Sequence, residues 1–471
     1  MKKIKVYTTY LKTIADFLTP VGVYSKLRDH YPHSLLLESA DYHNRSDSKS
    51  FICLEPVAGF EAMKHKYRIQ LPNEKEQVHA VTKPSEILNA FSNFVSSFEP
   101  EKNDFPFNSC GLYGYSSFES VEYMEDIVFS NPSGNTKNNP DLKYQLFRYV
   151  LVFDHFKNVL YITQNNLDKP ELSDRNLQMF KGLLRLNSFP GFKFFIQETE
   201  TSRITDNQFK DYITKGIAHC KRGDVFQIVL SREFKQGFKG DDFNVYRSLR
   251  SINPSPYLFY FDYGDFKIFG SSPESQLKVE NGTAFINPIA GTVLRSSDPA
   301  EDEERARGLK NNPKENAEHV MLVDLARNDL SKNSEEVTVN TYAEIQYFSH
   351  VIHMVSKVSG RIHNEKSGLN VYTDTFPAGT LSGAPKYRAL QIIDETESVT
   401  RNFYGGAIGF LGFDGSINHA IIIRSILSKN NVLTYQAGAG IVAGSTPDGE
   451  LQEVNNKIAA LRKAIKTAES L

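Results

Sequence analysis

Four glutamates stand as two Glu-x-x-Glu pairs, Glu315/Glu318 and Glu450/Glu453. Residues three apart share a helical face, so each pair would present two carboxylates together. Asn312 and Pro313 read as N-cap and first helical residue ahead of the first pair, and Pro447 opens a helix ahead of the second. Glu315, Glu318, His319 and Leu322 then fall at i, i+3, i+4 and i+7. Two such helix starts facing each other would form a hard-oxygen site suited to Mg²⁺. Their positive ends would ease the crowding of negative charge. A single pair is more simply a solvated first turn. Two pairs, each beside a Gly-rich or His-bearing segment, shift the reading toward a magnesium site for a small anionic substrate.

Other residues bear on the anion. Arg424 sits alone in the apolar run Ile421–Ile426. A guanidinium there needs an anionic partner, either a structural acid or a ligand carboxylate, because an unpaired buried charge is costly. The small residues Gly438, Ala439 and Gly440 follow a strand and either offer N–H groups to a carboxylate or serve tight packing. Residues 376–386 read as a loop entering a helix, with Ser382 as N-cap and the Thr380 hydroxyl within reach. His353 lies in a strand over 350–358, where a lone histidine is more often part of the core.

These residues need a scaffold. Thr19-Pro20 reads as the start of a short capped helix, and a helix is predicted over 84–98. Strand patterns fall at 34–38, 51–55, 67–71, 144–153 and 192–197. A capped helix over 206–221 is followed by strands at 225–234, 257–261, 267–270, 276–279 and 285–288. Further strands fit 337–340, 350–358, 405–413, 420–427 and 432–436. Short links between strands imply antiparallel pairing. The class is α+β, with antiparallel sheets packed in layers and helices outside. Polar loops are expected at 40–50 and 131–140, and a boundary near 199–206 divides 1–198 from 199–471.

The 471 residues are 40% hydrophobic and 23% charged, a globular composition. A net charge of -2 gives no basic field for nucleic acid or an acidic membrane. No apolar run reaches the ~18–20 residues that span a bilayer, and no signal peptide is read. Three scattered cysteines, Cys53, Cys110 and Cys220, lack zinc spacing, so a reducing cytoplasm is the expected location.

Many long segments in order resemble the chorismate-utilising enzymes, closest to the family of anthranilate synthase large (aminase) subunits. They are GDVFQIVLS (223–231), NPSPY (253–257), GSSPES (270–275), PIAGT (288–292), KENAEHVMLVDLARNDL (314–330), FSHVIHMVSKVSG (348–360), FPAGTLSGAPK (376–386), YGGAIGF (404–410) and QAGAGIV (436–442). The resemblance implies the chorismate-binding fold and Mg²⁺ bridging the protein to the ring carboxylate of chorismate. Glu318 and Glu453 match the direct metal ligands, and Glu315 and Glu450 match their supporting carboxylates. Tyr404 and Arg424 match residues holding the enolpyruvyl carboxylate. Gly291, Thr292, Gly438, Ala439 and Gly440 match other substrate contacts, and His353, Thr380 and Lys457 match active-site positions. Glu274 matches the general acid for the departing 4-hydroxyl.

Single positions separate the branches of this family. Aminodeoxychorismate synthases commonly carry a nucleophilic lysine where this chain has Ala290. Isochorismate and salicylate synthases typically carry a water-activating lysine where it has Gln227. Both absences favour ammonia as nucleophile. An aminodeoxychorismate or aminodeoxyisochorismate synthase is the alternative. Leu36-Leu37-Glu38-Ser39 resembles the family's tryptophan-binding segment, completed by Pro256, Tyr257 and Leu258, which implies feedback inhibition. Leu258 stands where methionine is common, and Pro447-Asp448-Gly449-Glu450 where Pro-Glu-Ala-Glu is. No cysteine has the Gly-x-Cys-x-Gly setting of a glutaminase, so ammonia from glutamine is expected from a separate glutamine amidotransferase subunit, component II.

Overall fold

The computed structural model describes residues 3–39, 48–130, 139–167, 174–184, 191–296, 298–348, 351–363 and 367–471. Most of the two expected polar loops, at 40–50 and 131–140, lies outside the described residues.

The frame is one large network of paired strands with helices packed on it. Among the described residues every pairing is antiparallel except that of Ile4–Ile14 with Phe98–Pro100. The long strands Lys49–Met63 and Leu142–Asp154 pair along almost their whole length. Burial alternates over the first part of Leu142–Asp154 and is continuous from Tyr149 onward. There both edges and both faces of the strand are covered, and an alternating pattern gives way to an apolar run.

Strands of the two sequence halves interleave. Leu35–Glu38 pairs with Tyr257–Asp262, and Gly111–Ser116 pairs with Ala407–Gly412. The expected boundary falls inside the strand Phe194–Ser202, which pairs with Gln227–Gly240.

Two neighbouring strand pairs lose their pairing at the same level. Phe266–Ser272 pairs with Ser425–Lys429, whereas Ser275–Glu280 pairs with Ile417–Ile421. The chain steps between partners at 273–274 on one side and 422–424 on the other. Arg424 is therefore not in a strand, contrary to the sequence expectation. It adopts φ 50°, a left-handed conformation that is unfavourable for a residue with a β-carbon. The gap is closed by two backbone bonds: Ile421 N–H donates to the Glu274 carbonyl at 3.0 Å, and Ser271 N–H to the Arg424 carbonyl at 3.2 Å.

The helices carrying the acidic pairs form as the caps predict. Asn312 Oδ1 accepts from Lys314 N–H at 3.0 Å and opens Pro313–Ser331. His319, Leu322, Val323, Ala326 and Leu330 are buried at helical spacing, and the helix packs on Ile289–Leu294 and Val351–Ile362. Thr446 Oγ1 accepts from Gly449 N–H and opens Pro447–Ala468. Its buried stripe begins at Glu450 and continues through Val454, Ile458 and Leu461. That stripe packs on Phe243–Ile252 and Val432–Ile441.

Two local expectations change. Gly438, Ala439 and Gly440 lie inside the strand Val432–Ile441, not after it. Small apolar residues there accept pairing with Val229, Leu230 and Ser231, which extends the strand. Ser382 closes the short turn Gly379–Leu381 and donates to the Ala378 carbonyl, while Pro385 precedes the helix Lys386–Thr396.

Glycine is required within the strand Gly111–Ser116. A β-carbon at Gly114 would collide with the Lys143 carbonyl oxygen and the Tyr144 α-carbon. Gly114→Val should lower stability by about 3 kcal/mol in urea unfolding, as overpacking against backbone does. Gly308→Ala, in an open position on the helix Pro299–Lys310, is the control. It should stabilise by about 0.5–1 kcal/mol.

Candidate active site

The matched break brings Glu274 and Arg424 close enough for each to bear on the other's charge. Thr380 Oγ1 donates to Glu274 Oε1 at 2.8 Å. Burial pushes the Glu274 carboxyl up to about 7, against the opposing pull of the Thr380 hydrogen bond, Lys457 and Arg424. At neutral pH the group can thus hold a proton and still release it. The Arg424 guanidinium has no carboxylate ion-pair partner among the described residues. Burial holds it below its ordinary value, and Glu274 opposes that shift. A desolvated cation in this position favours an anionic ligand.

His353 faces the same region. Its strand pairs with Ile289–Leu294, where a bulge between Ala290 and Thr292 puts Gly291 at φ 65°. A β-carbon at Gly291 would run into Leu309 and stand 3.0 Å from Glu315 Oε2, so the position needs glycine. His353 Nδ1 lies 2.9 Å from the Gly291 carbonyl. A carbonyl only accepts, so Nδ1 carries the hydrogen and the basic nitrogen of the neutral ring is Nε2. Burial lowers this histidine to about 4, and it is neutral at pH 7. Thr292 pairs with His353 through the sheet, and its side chain lies outside the described residues.

Beyond Tyr435 the strand Val432–Ile441 is no longer covered by Ser425–Lys429, which leaves one edge of Gly438–Gly440 open. Lys457 Nζ donates to the Gly438 carbonyl at 2.9 Å and pairs with Glu453 Oε1 at 2.6 Å. A β-carbon on Gly438 would stand 2.8 Å from the Tyr404 hydroxyl oxygen, and one on Gly440 would stand 2.5 Å from Gln227 Nε2. The strand's small residues therefore keep Tyr404 and Gln227 close to the backbone. Gln227 and Ala290, the two positions that separate family branches, are both buried.

The two acidic pairs meet electrostatically. Burial first, then negative Glu315 and Glu453, pushes the Glu318 carboxyl above the ordinary range. Burial and Glu453 do the same to Glu450. Among the described residues, Glu450 Oε2 is buried with no hydrogen-bond partner. Among the described residues no three His, Cys, Asp or Glu side chains are drawn together closely enough to cage a metal ion. The expected carboxylates converge without forming a finished cage, and Lys457 holds one of them. Hard oxygens, mutual repulsion and an orphaned buried Oε2 fit a divalent cation such as Mg²⁺.

The second expected site is also brought together. The pairing Leu258↔Glu38 sets Ser39 beside Pro256, Tyr257 and Leu258. Buried Glu38 accepts from the Tyr246 hydroxyl at 2.7 Å and pairs with Arg250 Nε at 2.9 Å.

Sequence reasoning missed the buried ion pairs that brace the pocket. Lys386 Nζ meets Asp329 at 3.0 Å, and Arg401 meets Glu397 at 2.6 Å. Glu397 and Arg401 are four residues apart, which reads as a solvated helical pair, yet both lie beyond the helix Lys386–Thr396. A separate cleft of ≈ 680 Å³, lined by Lys3, Asn281, His363 and Asp414, contains none of the candidate residues.

The family model for chorismate binding enzymes matches residues 33–463, and the chain belongs to that family. Within it, the chain is 36% identical over 466 residues to anthranilate synthase component 1 of Neisseria meningitidis serogroup A, covering 97% of this chain and 94% of that protein. It is 37% identical over 479 residues to anthranilate synthase component 1 of Bacillus subtilis, covering 97% and 91%. The crystal structure of anthranilate synthase component I from Streptococcus pneumoniae superposes with a TM-score of 0.77 at 32% identity, covering 88% and 92%. No described helix is long and apolar enough to cross a membrane.

The Glu274 environment can be tested without turnover. A ¹³C carboxyl titration should place its midpoint near pH 7. The Thr380 hydroxyl stabilises the charged form, so Thr380→Val should move the midpoint to higher pH. A midpoint in the ordinary carboxylate range would contradict the buried site.

Proposed function

We propose that the chain is a chorismate aminase of the anthranilate synthase component I type. It would convert chorismate and ammonia into anthranilate, pyruvate and water, the first committed step of tryptophan biosynthesis. The observation that carries the reading is a carboxyl group raised to about 7 beside an unpaired buried arginine, in a site with no lysine at Ala290 or Gln227.

In this reading Arg424 and Tyr404 hold the enolpyruvyl carboxylate, and the Gly438–Gly440 edge and Gly291 shape the remaining contacts. Glu318 and Glu453 would hold Mg²⁺, supported by Glu315 and Glu450. The ion would neutralise and orient the ring carboxylate. Ammonia forms the new C2–N bond as the C4–O bond breaks, and Glu274 gives its proton to the departing hydroxyl, which leaves as water. Thr380 stabilises the carboxylate that results. Loss of the C2 proton and cleavage of the C3–O bond then release pyruvate and leave the aromatic ring. Neutral His353, with its basic character on Nε2, serves proton handling in that elimination, and Lys457 keeps Glu453 and the Gly438 carbonyl in place.

The component 1 names of its relatives support a separate glutaminase partner that supplies ammonia, and cytoplasmic location follows from that role. The pairing of Leu35–Glu38 with Tyr257–Asp262 supports a tryptophan pocket at Ser39, Pro256, Tyr257 and Leu258.

Incubation with chorismate, ammonium and Mg²⁺ should yield fluorescent anthranilate and pyruvate. Chelation should abolish both, and Glu318→Ala or Glu453→Ala should cut turnover by roughly 10²–10³-fold, as loss of a charge-stabilising group does. An aminated product that keeps its enolpyruvyl side chain would reject this reading in favour of an aminodeoxychorismate-type synthase. Tryptophan should bind and inhibit. Ser39→Phe, which fills the proposed pocket, should remove binding in calorimetry while turnover persists.

A further inference from the structure

Glu397 and Arg401 are not among the residues matched to substrate or metal, yet they join most of the site. Arg401 Nε donates to Glu397 Oε2 at 2.9 Å, and Nη2 donates to Oε1 at 2.6 Å. The side chains of Arg401 and Glu397 are only 2% and 5% exposed. So deep a pair is a poor stability device, because desolvating two ions offsets their attraction and an apolar pair would serve the core as well.

What sets the pair apart is where its other bonds go. Nη1 donates to the Leu381 carbonyl at 2.6 Å, and Nη2 to the Val229 carbonyl at 2.6 Å. Glu397 Oε1 accepts from Ser231 N–H at 2.7 Å and from its hydroxyl at 3.1 Å. Leu381 follows Thr380, whose hydroxyl rests on Glu274. Val229 and Ser231 lie opposite Gly440 and Gly438 across the sheet. Tyr404 N–H donates to the Arg401 carbonyl at 3.1 Å, and its ring centroid is 5.9 Å from the guanidinium. Three segments far apart in sequence thus reach the site through one ion pair. Neither side chain has a buried polar atom left without a partner.

We propose that Glu397 and Arg401 are a positioning pair that fixes the Thr380 turn, the Gly438–Gly440 edge and Tyr404 relative to one another, and so holds the Thr380 hydroxyl on Glu274. The inference rests on the chorismate aminase reading above. The rigid guanidinium fork holds both carboxylate oxygens and two carbonyls together, four contacts that the three donors of a lysine ammonium cannot reproduce.

Two sets of variants test it in the full chain with ammonium as nitrogen source. In the first, Glu397→Leu with Arg401→Met replaces the pair by apolar volume. The expected protein is folded, with kcat down by at least about ten-fold. Turnover within about two-fold of wild type would overturn the proposal. In the second, Arg401→Lys, Thr380→Val and their combination form a cycle. The combined loss in kcat should match the larger single loss, whereas losses that multiply would overturn the proposal. The cycle decides the matter if the apolar replacement does not fold. If the wild-type chain makes no anthranilate, the functional reading fails separately. The positioning claim is then decided by the Glu274 titration, whose midpoint Arg401→Lys must shift in the same direction as Thr380→Val; an unmoved midpoint overturns it.

Discussion

The site exists because two adjacent strands lose their pairing at one level. Residues 266–280 and 417–429 run side by side, and each is interrupted where the other is. An uninterrupted pair would direct alternate side chains to opposite faces and bind its peptide groups in the ladder. The interruption frees a short stretch on both, and the Ile421–Glu274 and Ser271–Arg424 backbone bonds keep it narrow. Arg424 accepts a left-handed backbone to stay there. A buried carboxyl group and a buried cation thereby come close without neutralising each other through a direct ion pair.

That arrangement uses burial in two directions. Desolvation favours the neutral form of Glu274 and weakens the hold of Arg424 on its proton. The same low dielectric that penalises both groups strengthens whatever anion the arginine receives. Crowding at Glu318 and Glu450 follows the same rule, since each carboxyl is raised by burial and by an acidic neighbour. Arg424 thus lacks an anionic partner among the described residues, and the acidic pairs are crowded with like charge.

Much of this was legible in the residues. Asn312-Pro313 and Pro447 marked both helix starts. Helical spacing set Glu315 beside Glu318 and Glu450 beside Glu453, and each pair interacts electrostatically. The family motifs supplied Glu274 and His353, which spacing by itself could not single out. Arg424 was noticed as a lone charge in an apolar run, but the run read as continuous strand because Ile421, Ile422 and Ile423 carry no turn residue. The break there comes from the exchange of strand partners, a tertiary event with no local mark. Glu397 and Arg401 were missed for a similar reason. Opposite charges four residues apart are common on solvated helices, and only the surrounding sheet reveals that both are enclosed.

The interleaving of the two halves has a consequence for how the chain comes to be made. The strand Gly111–Ser116 needs Ala407–Gly412, roughly 300 residues later, to cover one of its edges. At the ~5–20 residues per second typical of synthesis, that edge waits about 15–60 s for its partner. Leu35–Glu38 waits similarly for Tyr257–Asp262. The early part of the nascent chain thus leaves the ribosome with exposed hydrogen-bonding edges and cannot settle as an independent unit. Cells that produce this protein must protect those edges from one another until the last strands arrive.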